Sequence, residues 1–401
     1  MKDLNLPYPR IGLVLQGGGA LGSYQAGVLE GLNKKGIHPN ALAGVSIGSL
    51  NCAVIAGNAP KDRVEKLKGF WETICRNPSP LAQFLMFADK MYAASPIGMH
   101  MLDNTYIEKM FGSAAASNAI MGGQQNFFVP KPFAPGLGSP ADVSFYDTSP
   151  MIVTLEKFCD FDRINDHKSM RVSVGATNVR TGNFVYFDNT EMKLGPKHFL
   201  ASGSLPPGFP AVEIDGEFYW DGGCVSNTPL EHIYTLNNLS LEDSLVFQID
   251  LWSAAGELPT NIFEVMERQK DIQYSSRTRS GTNSIKEKQK LRKFLSDTLE
   301  HVPDSVKNQD PWFSELQREA YSRKVNYIQL IYQDKPSEGH FKDYQFSFET
   351  MQMHWEAGLK DILETLSNPQ CLELPPDGEN YKEYDFHRAQ KTDNTLNRKK
   401  K

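Results

Sequence analysis

Residues 10–36, RIGLVLQGGGALGSYQAGVLEGLNKKG, set the reading of everything after them. A short apolar run, RIGLVLQ, meets a glycine cluster and passes into a stretch with helical spacing that ends at Gly36, a suitable C-cap. The rhythm then repeats, with ALAGVS as a second short apolar run and IGSLNCAVIAGN as a second helix. Short apolar strands alternating with helices predict an α/β fold: a mainly parallel central sheet flanked by helices on both faces. Further strands are expected at 171–179, 183–187, 217–223 and 244–252, which carries this domain to about residue 255.

The glycine cluster fits two chemistries. Read as G-x-G-x-x-G through Gly17, Gly19 and Gly22, it is a cradle for a dinucleotide phosphate. Read as Gly17, Gly18 and Gly19 at the start of a helix, it is a set of backbone amides and a positive helix end facing a developing oxyanion. A dinucleotide fold needs an acid about 20 residues on, at the end of the second strand, to hold the ribose. Residues 38–51, HPNALAGVSIGSLN, contain none, and Ser46 occupies the place. Gly44, Ser46 and Gly48 complete a G-x-S-x-G nucleophile elbow, in which a serine sits on a tight turn between strand and helix.

A serine nucleophile needs a base. Of the nine histidines, only His198 and His232 fall near expected strand ends, and neither lies in a recognisable catalytic turn. Asp221, in YWDGG, leaves a strand end and is followed at once by Gly222 and Gly223. From there a carboxylate reaches an opening beside Ser46, although Asp-Gly is also an ordinary β-turn start.

The stretches QGGGALGSYQAGVLEGL, GVSIGSLN, ASGSLPPGFPAVEIDGEFYWDGG and SNTPL stand in the order and spacing of the patatin-like phospholipases. The chain resembles that family over roughly residues 8–255. The resemblance implies a three-layer α/β sandwich and hydrolysis of acyl esters by a Ser-Asp dyad without histidine. It implies Ser46 as nucleophile, Asp221 as base, Gly17, Gly18 and Gly19 as oxyanion hole, and Gly22, Gly44, Gly48, Gly222 and Gly223 as motif support. Many family members carry Lys or Arg before the last glycine of the loop, where this chain has Leu21. A carboxylate at its reference pKa near 4 is a weak base, so most of the barrier reduction is expected from the oxyanion hole and positioning. No cofactor and no metal is called for. The implied substrate is a phospholipid or lysophospholipid, with neutral lipid or a hydroxyalkanoate polyester as alternatives. An inactive scaffold that retains the fold is the rival from another class.

Composition bounds the rest. With 401 residues, 40% hydrophobic, 22% charged and a net charge of −6, the chain is a globular protein too balanced for a nucleic-acid binder. The N-terminal MKDLNLPYPR lacks the apolar core of a secretory signal, and a cytoplasmic location is expected. Five widely spaced cysteines with no C-x-x-C pair support neither a disulfide framework nor a zinc site. Residues 112–150, rich in Gly, Pro, Ser and Ala, form an insertion that is either a lid carrying Phe127, Phe128 and Phe133 or a loop whose aromatics cover core. Residues 256–374 are expected to be a mostly helical accessory region packed on the sheet domain, with polar helices at 261–279 and 282–302 and an apolar strand at 325–333, and 375–401 a polar, disordered tail. Residues 268–293 carry nine Lys or Arg against Asp271 and Glu287, which fits the solvated face of a helical hairpin better than a peripheral membrane contact. Oligomeric state is left open.

Overall fold

The apolar run after Pro9 becomes strand β1 (Arg10–Leu15), whose side chains alternate between two cores: Leu13 and Leu15 join one cluster and Val14 the other. Chain burial on both faces is what a continuous apolar strand in a parallel sheet requires. The computed structural model describes residues 4–75, 116, 119–131, 138–235, 242–308, 311–320, 323–333 and 341–386.

Downstream strands are β2 (Ala41–Val45), β3 (Val129–Pro130), β4 (Tyr146–Asp147), β5 (Arg171–Asn178), β6 (Phe184–Asp188), β7 (Val212–Ile214), β8 (Glu217–Asp221), β9 (Ser244–Asp250), β10 (Val325–Ile331) and β11 (Tyr381–Tyr384). β3 and β4 form a separate hairpin, and the other nine make one sheet in the order β11-β10-β9-β1-β2-β5-β8-β7, with β6 paired to β5. All pairings from β11 to β5 are parallel, and β6, β7 and β8 enter antiparallel. The principal helices are α1 (Ser23–Lys34), α2 (Ile47–Ala56), α3 (Arg63–Ile74), α4 (Pro196–Ser202), α5 (Ile262–Glu300) and α6 (Phe348–Thr365). The fold is the expected mostly parallel sheet between helical layers.

In the C-terminal third the strand expected at 325–333 forms as β10, which pairs with β9 along its whole length and continues the sheet. Without β10 that edge of β9 would be an open row of unpaired backbone groups inside the core. The tail also contributes: Tyr381–Tyr384 pairs parallel with β10, so order extends past the expected start of disorder at 375. A four-residue edge strand, YKEY, with charged residues between its tyrosines carries no periodicity strong enough to read. The two helices expected between 261 and 302 are one helix of 39 residues, α5, opened by Asn261, whose side chain accepts the Glu264 amide.

α6 docks on α1 through facing glycines. A Cβ at Gly27 would lie 1.9 Å from the Trp355 carbonyl oxygen, and one at Gly358 2.0 Å from that of Tyr24. Backbone on both sides leaves nothing that can yield. Gly358→Ala is therefore expected to destabilise the protein by about 3 kcal/mol or more despite alanine's better helix propensity, seen as a lower urea midpoint. An unchanged midpoint would show that the two helices separate freely.

The basic stretch is partly neutralised: Lys270 pairs with Asp343, Lys288 with Glu231 and Lys293 with Asp297. The side chains of Arg277 and Arg279 lie outside the described residues.

Candidate active site

Ser46 joins β2 to α2 at φ 55° and ψ −127°, a positive-φ conformation that costs a non-glycine residue about 1–3 kcal/mol. The sharp turn places the side chain at the carboxyl end of the sheet. Its flanking glycines let helix and strand close together. A Cβ at Gly44 would lie 2.6 Å from the Gly48 carbonyl oxygen, and one at Gly48 2.3 Å from that of Leu15. The Ser46 amide donates to the Ser202 carbonyl of α4 at 3.1 Å, which fixes the turn from below.

Strand register delivers the carboxylate. On one edge β5 pairs with β6 over Ser173–Thr177, so β2 and β8 must share the other edge. There Val45 faces Gly175 and Asp221 faces Ala176, consecutive residues of β5. β2 and β8 thus run end to end, and Ser46 and Asp221 meet where they abut. Asp221 is 1% exposed. Its carboxylate accepts the Gly223 amide at 2.7 Å and a hydrogen bond from the Ser46 side chain. Burial outweighs both bonds and pushes its pKa up to about 7.

The glycine loop leaves the end of β1, the neighbour of β2, beside Ser46, and its three residues differ. The Gly17 amide donates to the Asn227 carbonyl at 3.2 Å. Being glycine still matters there, since a Cβ would approach that of Ser46 to 2.9 Å. The Gly18 and Gly19 amides make no hydrogen bond among the described residues, and both border the cleft beside Ser46. Gly19 has φ +56°, and a Cβ on it would lie 2.3 Å from the Asp343 carbonyl oxygen. Leu21 is fully buried in the core, so the loop carries no cation at that position. Gly22 packs on Ile47, Gly222 on the Gly175 carbonyl, and Gly223 beside the Asp221 carboxylate.

Neither histidine borders the cleft. His198 shares hydrogen bonds with the Gly195 backbone and packs edge-on to Phe187. His232 stacks on Tyr186 with ring centroids 3.6 Å apart and faces Asp188 at 3.5 Å. Among the described residues no group of three or more His, Cys, Asp or Glu is arranged to hold a metal ion.

Ser46, Asp221 and the loop share one cleft. Its apolar wall is Phe127, Phe128, Phe209 and Phe346, with contacting rings 5.2 to 6.3 Å apart, together with Leu50 and Leu205. Phe127 and Phe128 of the insertion are thus both buried and cleft-lining, while Phe133 lies outside the described residues. Trp252, Tyr274, Asp343 and Tyr344 complete the walls. Sequence reasoning missed all four together with Phe346, because they sit far along the chain in segments without a local chemical signature. Asn227 was visible within SNTPL, with nothing local to say what it holds.

The patatin-like phospholipase family model matches residues 13–234, more than half of the chain, and a second model described as patatin phospholipase matches residues 272–378. Triacylglycerol lipase SDP1L of Arabidopsis thaliana is 31% identical over 74 residues, 18% of this chain and 9% of that protein. Among solved structures, VipD from Legionella pneumophila aligns over 87% of this chain and 67% of its own at 15% identity, with a TM-score of 0.34. Human GIVD cytosolic phospholipase A2 aligns over 91% of this chain and 60% of its own at 12% identity, with a TM-score of 0.39. The chain belongs to the patatin-like phospholipase family, and it spans only 9% of the length of the lipase it matches. Among the described residues no helix is long and apolar enough to cross a membrane.

Proposed function

We propose that this protein cleaves carboxylic esters of lipids through a Ser46–Asp221 dyad and an acyl-enzyme, with Gly18 and Gly19 as the oxyanion hole. The observation that carries the reading is the buried Asp221 carboxylate accepting the Ser46 side chain beside two amides with no hydrogen-bond partner among the described residues. Oγ attacks the ester carbonyl carbon while its proton passes to Asp221. The carbonyl electrons move onto oxygen, which the Gly18 and Gly19 amides hold. Collapse expels the alcohol, which takes the proton from Asp221. Water, deprotonated by the same carboxylate, then frees the acyl group as a carboxylic acid. The acyl chain lies among the four phenylalanines of the apolar wall, which supply burial without polar competition.

A carboxylate lifted to about 7 is a far better proton acceptor at neutral pH than its reference value allows. Because the base must be ionised, kcat/KM is expected to rise with pH through an apparent pKa near 7 and to level above it. Histidine titrates in the same range, so the profile is to be repeated in His198→Ala and His232→Ala, where it should persist. A fluorophosphonate probe should label Ser46 with the same pH dependence, read by peptide mass spectrometry. Labelling elsewhere, or none, would remove the nucleophile and favour the inactive scaffold. Assay of phospholipid, lysophospholipid and neutral glyceride, with Ser46→Ala as blank, assigns the headgroup.

A further inference from the structure

Resting on the hydrolase reading above, we propose that Trp252 and Asn227 are positioning residues that set the oxyanion hole by holding the Gly17–Gly18 peptide in one orientation. The Gly17 carbonyl accepts two side-chain donors, Trp252 Nε1 at 2.7 Å and Asn227 Nδ2 at 2.9 Å. Two bonds fill both lone pairs of a carbonyl oxygen. In a trans peptide the carbonyl and the following N–H lie in one plane and point in opposite directions, so a carbonyl tied back one way turns the Gly18 amide the other way. That amide has no partner among the described residues and borders the cleft beside Ser46. Glycine peptides rotate easily, and a loop of three glycines has no side chains to resist a flip. The clamp supplies the resistance from outside the loop.

Both donors are themselves held. Asn227 returns its backbone carbonyl to the Gly17 amide at 3.2 Å, so one residue grips both ends of Gly17. The Trp252 amide donates to Gln16 Oε1 at 3.0 Å, which ties β9's end to the residue before the loop. From α5, the Tyr274 ring packs on the indole with centroids 5.0 Å apart, and its carbonyl accepts Gln16 Nε2 at 3.3 Å. The Lys342 and Lys270 ammonium groups lie 5.3 and 5.9 Å from the indole centroid. A cation over an indole face draws charge from the ring and makes its N–H a stronger donor. The C-terminal third therefore bears on catalysis without contributing a group to the reaction.

The test removes the indole N–H and keeps the ring. Trp252→Phe is compared with the full chain carrying 3-benzothienylalanine at 252, where sulfur replaces N–H in an isosteric bicycle that preserves packing. On p-nitrophenyl butyrate, kcat is expected to fall about 10- to 100-fold in both with KM little changed, since only the transition state uses the hole. The inhibition constant of a butyl trifluoromethyl ketone, which forms an oxyanion on Ser46, should rise by the same factor. Asn227→Ala should show the same split. Loss in Trp252→Phe with full kcat in the benzothienyl protein assigns the indole to packing and overturns the clamp. Equal rises in KM and in ketone inhibition at unchanged kcat also overturn it. Absence of Ser46-dependent turnover in the unmodified chain overturns the hydrolase reading itself, and this inference with it.

Discussion

With Ser46 replaced by alanine, p-nitrophenyl ester hydrolysis is expected to fall by at least about 10⁴-fold, leaving only what the oxyanion hole and binding contribute over water. The loss is chemical and not a loss of fold. Alanine keeps a Cβ at the strained φ of 55°, so the backbone cost stays and stability should change by less than about 1 kcal/mol. Ser46→Gly abolishes the same chemistry but relieves the strain, and should be more stable than Ser46→Ala by about 1–3 kcal/mol. Removing Oγ also deprives Asp221 of one of the two bonds that hold its pKa down, so the carboxyl should titrate still higher in the variant. Hydrolysis by Ser46→Ala within tenfold of the parent would sink the nucleophile assignment.

Asp221→Asn should abolish hydrolysis and, at alkaline pH, strengthen the fold. The folded pKa of about 7 lies above the unfolded value near 4, so the group supports folding fully below about pH 4 and loses that contribution as pH rises through 7. Above that window the native state holds a buried charge, a difference worth about 4 kcal/mol for three pH units. Asparagine fills the same space without charge and keeps the Ser46 contact. The variant should therefore match the parent near pH 4 and exceed it by several kcal/mol at pH 8, measured by urea unfolding at each pH. Asp250, also buried and lifted to about 7, keeps the remaining pH dependence in both proteins. A variant no more stable at pH 8 would mean that Asp221 is not ionised at a cost, and its role as a raised-pKa base would fail with it.

Both predictions concern residues whose chemistry was legible locally. Gly44, Ser46 and Gly48 announce the elbow because a serine between glycines at a strand-helix turn has few other uses, and the missing acid after β2 removes the nucleotide reading. Asp221 was legible as a carboxylate at a strand end followed by glycines, but its burial was not. That burial comes from β8 abutting β2 along β5, a register set by pairing partners 130 residues apart on one side, Val45 and Gly175, and 45 apart on the other, Ala176 and Asp221.

Periodicity also set the expected limits of the fold. Alternating short strands and helices determined the α/β sheet from β1 to β9, because strand and helix periods are local properties of side-chain placement. It read β10 as an apolar strand but could neither join it to the sheet nor find β11, since whether a strand joins an existing sheet depends on which edge is open, and that is a property of the assembled sheet.

What the sequence alone determined here is the class of fold and the motifs of the candidate site, the elbow serine, the strand-end carboxylate and the glycine loop, each written in a few adjacent residues whose backbone has little choice. Only the tertiary structure decided which glycine amides remain unspent, how far Asp221's pKa rises, and that Trp252 and Asn227 clamp the loop from 235 and 210 residues away. The physical reason is the same in each case. Desolvation and hydrogen-bond partnership belong to neighbours in space, and no local pattern of residues records them.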